Sequence, residues 1–138
     1  MARSLRIWFW VTDVGFVLYW LVTALKLIPA DYLYSDYRNP VLVAWNWSFF
    51  PLDLFISATG FASLYAWKRG SASWERWALL SLALTFCSGL QAISFWSIRL
   101  DFDVSWWIPN LYLLLYPCFY IPALIKGIGK SRERRRTL

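Results

Sequence analysis

Two aspartates lie inside long apolar segments of the chain, Asp13 within residues 7–28 and Asp53 within residues 41–67. Ionisable groups inside such segments are costly to bury, and they commonly mark a functional site. At about 1.5 Å of helical rise per residue, the two carboxyls are predicted to lie at one depth, level with the phenol of Tyr116. The two aspartates then share a proton or bind a cationic ligand, and Tyr116 can donate a hydrogen bond to one of them.

Three amides, Asn46, Gln91 and Asn110, form a second predicted layer, about 21 to 23 Å from the same end of the helices. Side-chain amides at one depth can hydrogen-bond across helices and pack them together. That structural role is the favoured interpretation, and ligand binding is the alternative.

Aromatic residues accompany the two layers. Tyr112 and Tyr116 repeat at a spacing of four residues in the last apolar segment, and Trp20 follows Asp13 in the first. Such rings provide faces for stacking or for contact with a cation. Pro51 stands two residues before Asp53, and a proline leaves a helical carbonyl without its usual partner, which is one way of opening a binding site in a membrane bundle.

Several kinds of catalytic site are excluded by composition. The chain has no histidine, which rules out Ser-His-Asp and Cys-His triads and histidine-ligated zinc. Cys87 and Cys118 stand in separate apolar segments without metal-binding or redox spacing. No catalytic residue, cofactor motif or metal site is predicted, and an enzyme is the less favoured class.

Composition then indicates which solvent the chain folds in. Hydrophobic residues make up 59% of the 138 positions and charged residues 16%, against about 25% charged in soluble domains. About 20 apolar residues cross a bilayer, and four segments qualify: 7–28, 41–67, 77–98 and 104–125. The predicted fold is an all-α, four-helix membrane bundle formed by residues 1–125, followed by a basic tail at 126–138.

Orientation is predicted from lysine and arginine. Eleven of the 14 basic residues fall before the first segment, between the second and third, or after the fourth, and Lys26, Arg38 and Arg99 are the remaining three. The positive-inside rule places both termini in the cytoplasm of a cell-membrane protein, with Asp31 and Asp36 in an outer loop. The tail is expected to contact anionic membrane lipid and not nucleic acid.

Four short motifs carry a resemblance to a known family. At residues 45–48 (WNWS), 51–54 (PLDL), 86–91 (FCSGLQ) and 106–110 (WWIPN) the sequence resembles the YvaD family of small Bacillus membrane proteins. The resemblance covers all four segments and implies a bacterial inner-membrane location. It implies no particular activity.

A looser resemblance is to the emopamil-binding family and its EXPERA fold, a bundle that binds sterols and cationic amphiphiles. It rests on Asp53 in the second segment and on residues 68–74 (KRGSASW). Catalytic members of that family use histidine with glutamate. Because this chain has no histidine, the resemblance implies a ligand pocket and not an isomerase.

The favoured hypothesis is therefore a membrane protein that binds a hydrophobic or cationic amphipathic small molecule between its helices, with Asp13 and Asp53 at the cationic end. Two alternatives use the same carboxyls: a proton-coupled exporter of cationic compounds, and an isomerase-type enzyme acting on a lipid or isoprenoid. The uneven distribution of basic residues fixes one orientation and disfavours the antiparallel dimer that dual-topology exporters form.

Overall fold

A computed structural model describes the backbone of residues 1–29 and 38–136, and the side chains of these residues as far as 129. The predicted loop residues Asp31 and Asp36 lie outside the described residues. The helices of the described chain are α1 (Arg3–Ala24), α2 (Pro40–Ser48), α3 (Phe50–Lys68), α4 (Trp74–Ile98) and α5 (Val104–Arg136). Four stretches are long and apolar enough to cross a membrane, since α2 and α3 together form one of them. The predicted all-α bundle of four spans is confirmed.

The second span is divided in two at Phe49, where α2 ends and α3 begins. Asn39 caps α2, because its side-chain oxygen accepts a hydrogen bond from the amide of Val41 at 3.0 Å. Pro51 stands in the first turn of α3, where proline is tolerated, and because it has no N–H the helical hydrogen bonds of α2 do not continue unbroken into α3. The division places Asn46 in the last turn of α2 and Asp53 in the first turn of α3.

The observed helix ends differ from the predicted ones. Helix α1 begins at Arg3, four residues before the predicted span, and ends at Ala24, beyond which Lys26 has a left-handed backbone with φ 52°. Gly70 supplies a φ of 68° in the turn between α3 and α4, a conformation that glycine adopts without strain. Helix α5 continues through Arg136, so the backbone of the basic tail extends the last helix and no break marks residue 125.

Helix α1 packs against α3, α3 packs against α4, and α4 packs against α5. Small and polar residues line these seams, and they allow membrane helices to approach closely. For example, Ser81 Oγ donates to the carbonyl of Ile56 at 3.3 Å, and Ser57 Oγ donates to the carbonyl of Asp13 at 3.2 Å. Among the described helices, α1 and α5 are not one of these closely packed pairs, and residues of both helices line a cavity between them.

Candidate ligand-binding cavity

Asp53 is held at the start of α3 by two neutral donors from two other helices. Its side chain is 4% exposed. The indole Nε1 of Trp20 donates to Oδ2 at 2.9 Å, and Ser88 Oγ donates to Oδ1 at 3.3 Å. A carboxylate has about four lone-pair positions, so the two oxygens retain capacity for a further donor.

Asp13 has a different environment. Its side chain is 0% exposed, and neither carboxyl oxygen has a hydrogen-bond partner in the described structure. The carboxyl lies against Gly60 of α3, where an added Cβ would be 1.9 Å from Oδ2.

The two carboxyls therefore do not share one layer, and that prediction was wrong. Asp13 lies level with Gly60 and Asp53 is bonded to Trp20, and these pairs are separated by seven residues, or about 10 Å, along each helix. The error came from the second span, which was treated as about 30 Å long but runs from Pro40 to Lys68. Asp53 lies 15 residues before Lys68, or about 22 Å, whereas Asp13 lies ten residues after Arg3, or about 15 Å. No shared proton or joint cation site is formed by the two aspartates.

A cavity of about 290 Å³ opens beside Asp53, between α1, the α2–α3 junction, α4 and α5. Five of the eight predicted site residues line it, namely Trp20, Asn46, Asp53, Asn110 and Tyr112, and three do not, namely Asp13, Gln91 and Tyr116. No lysine or arginine is among its described lining residues. Asp53 is thus the acidic group of a mainly apolar cavity.

The predicted layer of mutually bonded amides is not formed. Asn46 accepts a hydrogen bond from Tyr19 Oη at 3.1 Å, while its Nδ2 is buried without a partner in the described structure. Asn110 Nδ2 donates to the carbonyl of Trp106, one turn back in its own helix, at 2.7 Å. Gln91 is exposed on the outer side of α4. A predicted depth does not determine the face of the helix on which a residue lies. The three side chains lie on different faces of their helices and do not meet.

Tyr112 and Tyr116 join α5 to α1 through Thr12 and not through a carboxylate. The hydroxyls of Thr12 and Tyr112 are 2.7 Å apart, and Thr12 Oγ1 donates to Tyr116 Oη at 3.3 Å. The two tyrosine rings stack at 4.9 Å, and Trp8 stacks on Tyr116 at 5.9 Å. This aromatic contact closes the gap between α1 and α5 on one side of the cavity.

Sequence reasoning missed Thr12 and Tyr19, which bond to predicted site residues. Both stand in an apolar segment that also contains Asp13 and Trp20. Hydroxyl side chains inside a membrane segment often form hydrogen bonds to another helix. Thr12 and Tyr19 could therefore have been predicted as interhelical contacts. An aromatic cluster at the other wall was also missed, in which Trp45 stacks on Phe95 at 3.9 Å and meets Trp96 at 5.5 Å.

Comparison with known proteins establishes the family. Residues 5–131 match DUF5360, a family of unknown function. The chain belongs to this family. It is 50% identical over 131 residues to the uncharacterized protein YvaD of Bacillus subtilis strain 168, an alignment that covers 95% of this chain and 98% of YvaD. The resemblance drawn from the four sequence motifs is confirmed, and no solved structure matches the chain.

In the part of this DUF5360 chain that the structure describes, no three cysteine or acidic side chains lie close enough together to hold a metal ion. Cys87 and Cys118 are both exposed free thiols, on α4 and α5. The cavity contains one acidic group, aromatic walls and several amide and hydroxyl groups. Small-molecule binding sites typically combine such apolar walls with a few polar groups.

Proposed function

We propose that this DUF5360 protein binds an amphipathic small molecule with a cationic end in the cavity beside Asp53. The observation that carries the proposal is a buried carboxylate in the wall of an apolar cavity, with neutral hydrogen-bond donors as its partners. Burial of a charge without an opposite charge is costly. A bound cation offsets that cost, and it uses the remaining acceptor capacity of Asp53.

Aromatic walls support a cationic ligand over a neutral one. Trp20, Trp45 and Trp96 all line the cavity, and Trp20 is bonded to Asp53 itself. Contact of a cation with a tryptophan face contributes about 2 kcal/mol when water is excluded. A volume of about 290 Å³ lies at the lower limit of small-molecule pockets, so the ligand has a compact head, and its apolar part extends towards the lipid.

Access is proposed through the gap between α1 and α5. Cavity residues of α1 such as Gly15 and Phe16 face cavity residues of α5 such as Pro109 and Leu113 across it. In the described part of the chain, α1 and α5 are not among the closely packed helix pairs. An amphipathic ligand therefore reaches Asp53 from the bilayer without passing through water.

Thermal unfolding of the purified protein in neutral detergent tests the proposal. The probes are tetraphenylphosphonium and an alkyltrimethylammonium, with an uncharged molecule of similar shape beside each. A ligand at 100 times its Kd raises stability by about 2.7 kcal/mol. We expect the cations to stabilise the protein, the uncharged molecules to do so at least tenfold more weakly, and Asp53→Asn to remove the difference.

Two variants sharpen the result. Asp13→Asn alters a buried carboxyl outside the cavity, so cation binding should persist. Gly15→Leu should abolish it, because Gly15 lines the cavity and a Cβ there meets nothing within 4 Å. Equal stabilisation of the wild type, Asp53→Asn and Gly15→Leu would refute the proposal.

The isomerase-type alternative used Asp13 with Asp53 as proton donor and acceptor, and these lie about 10 Å apart along the helix axes, so we do not propose it. Proton-coupled export needs only one carboxyl. It is disfavoured by the uneven distribution of basic residues, and we do not propose it either.

Orientation in the membrane is a further part of the proposal. Helix α1 begins, α3 ends and α4 begins at one end of the bundle, and these ends carry Arg3, Arg6, Lys68, Arg69 and Arg76. The positive-inside rule places that end, with both termini, at the cytoplasmic face of the cell membrane. In a background without Cys87 and Cys118, a membrane-impermeant thiol reagent should label Ser35→Cys in intact cells and leave Ser71→Cys and Thr137→Cys unlabelled. The reverse pattern would refute this orientation.

A further inference from the structure

A second cavity, of about 490 Å³, lies far from Asp53, between the first turns of α1 and the last turns of α3. Its lining comprises Arg3, Arg6, Ile7, Trp10, Phe61, Leu64, Tyr65, Trp67 and Lys68. The proposed ligand site shares none of these residues. The cavity is a groove at the basic end of the bundle.

Charge is concentrated at one end of this groove. Arg3 and Arg6 open α1, and Lys68 closes α3, so the antiparallel helices bring three cations together. Among the described residues that line the groove there is no acidic side chain. An anion fits this end.

Arg6 gives independent support. Its guanidinium carbon lies 4.2 Å from the ring centroid of Trp67, and its Nε is buried without a hydrogen-bond partner in the described structure. The ring of Trp67 thus fixes the position of this guanidinium, which lines the groove. Because arginine presents a planar fork of donors that matches phosphate geometry, the guanidinium suits a phosphate group.

The rest of the groove is apolar and faces outward. Trp10 is 56% exposed and Ile7 53% exposed, and the rings of Trp10 and Phe61 meet edge to face at 5.8 Å. Along both helices these residues lie closer to the middle of the bundle than the three cations do. The groove is therefore amphipathic in the direction of the membrane normal, as a phospholipid is.

We propose that this groove is a binding site for an anionic phospholipid. The headgroup phosphate pairs with Arg3, Arg6 and Lys68, and an acyl chain lies along Ile7, Trp10 and Phe61. Inorganic phosphate offers the same oxygens to the cations, but it leaves the exposed apolar half of the groove uncovered. The lipid satisfies both halves, and this assignment does not depend on the cavity at Asp53.

Native mass spectrometry of the full-length protein in neutral detergent tests the assignment. The probes are phosphatidylglycerol, phosphatidylcholine, glycerol 3-phosphate and inorganic phosphate. We expect phosphatidylglycerol to bind at least tenfold more tightly than phosphatidylcholine, which has the same phosphodiester without net negative charge. The two soluble phosphates should bind at least tenfold more weakly than phosphatidylglycerol.

Matched variants locate the site. Arg6→Gln should weaken phosphatidylglycerol binding about tenfold, whereas Arg76→Gln, the same change at an exposed arginine outside the groove, should leave it unchanged. If Arg6→Gln fails to fold, the double variant Arg3→Gln with Lys68→Gln changes two exposed side chains and should have the same effect. Equal binding of phosphatidylglycerol and phosphatidylcholine, equal binding of a soluble phosphate, or equal losses in Arg6→Gln and Arg76→Gln would overturn the proposal.

Discussion

Gly60 of α3 provides the space in which the carboxyl of Asp13 is buried. A Cβ at position 60 would lie 1.9 Å from Oδ2 and 2.6 Å from Oδ1 of Asp13. Asp13 is 0% exposed, so its side chain has little free space around it. We expect Gly60→Ala to destabilise the protein by about 1 to 3 kcal/mol, the usual cost of overpacking, measured by thermal unfolding in detergent.

Two companion variants show whether the clash is the cause. Gly60→Ala combined with Asp13→Ala removes the atoms in conflict, and it should be more stable than Gly60→Ala alone. Gly15→Ala makes the same change in α1 where nothing lies within 4 Å, so it should be neutral or stabilise by up to about 1 kcal/mol. A loss at Gly15 equal to the loss at Gly60 would show that helix glycines matter here for another reason.

Gly89 has a stricter constraint because it faces backbone. A Cβ at Gly89 would lie 2.5 Å from the amide nitrogen of Leu114 and 2.9 Å from the carbonyl oxygen of Asn110. Backbone atoms inside a helix cannot rotate away, so Gly89→Ala must move α5 from α4. We expect a larger loss of thermal stability than for Gly60→Ala, with no rescue by shortening the side chains of Leu114 or Asn110. Such a rescue would contradict the backbone contact.

The sequence predicted the four spans well because the requirement for apolar length is local. Trp20, Asp53 and Tyr112, predicted for a ligand site, line one cavity together with Asn46 and Asn110, for which packing was the favoured role. Their part in ligand binding stays a prediction. Carboxyl and amide side chains inside the apolar segments are few, and Asp53 and Asn46 are buried. Aromatic residues make up 21% of the chain, and several in these segments, such as Trp10 and Phe119, are exposed. Residue type therefore indicated the carboxyl and amide groups better than the aromatic ones.

Which of these residues contact one another depends on how each helix is rotated and on where it begins and ends. The local sequence determines neither of these. Asp13 and Asp53 were assigned one depth on the assumption that the second span is about 30 Å long, whereas it continues from Pro40 to Lys68 and places Asp53 farther from that end. Gln91 was predicted at the depth of the other amides, but it is exposed on the outer side of α4. Close approaches such as that of Gly60 to Asp13 require knowledge of which helix is the neighbour, and no motif supplies it.

Trp20 and Ser88 together hold the carboxyl of Asp53. Trp20→Phe retains the ring and removes the indole donor that lies 2.9 Å from Oδ2. A buried acceptor that loses its partner costs about 1 to 3 kcal/mol, and we expect a loss of this size in thermal unfolding. Ser88→Ala removes the longer bond of 3.3 Å and should cost less.

The double variant Trp20→Phe with Ser88→Ala tests whether the two donors act on one group. Because both bonds end on the same carboxyl, the losses should not be additive. Strict additivity would mean that the two donors stabilise the protein independently and not through one carboxyl, and no loss in Trp20→Phe would mean that Asp53 does not need the indole donor.

Asp103 begins α5 and gives the bundle an acid-sensitive helix end outside the membrane-spanning segments. Its Oδ1 accepts hydrogen bonds from the hydroxyl of Ser105 and from the amide of Ser105, the latter at 2.8 Å. These bonds to the charged form hold the pKa of Asp103 below its usual range. A lowered folded-state pKa contributes stability above the pKa of the unfolded chain, and that contribution is lost as the pH falls through the folded-state pKa.

Titration of Asp103 by carboxyl-carbon NMR in micelles measures this effect directly. Ser105→Ala removes the hydroxyl donor and leaves the amide, so the pKa of Asp103 should rise part of the way towards its usual value. Asp103→Asn keeps a side-chain acceptor that does not titrate, since asparagine is as good a helix cap as aspartate. In Asp103→Asn we measure hydrogen exchange of the amides in the first turn of α5 and correct the rates for intrinsic exchange. These rates should not change as the pH is lowered through the range in which Asp103 titrates in the wild type. An unchanged titration midpoint in Ser105→Ala would show that the hydroxyl of Ser105 does not stabilise the carboxylate, and the helix end would have to be held by the backbone of residues 103–107 alone.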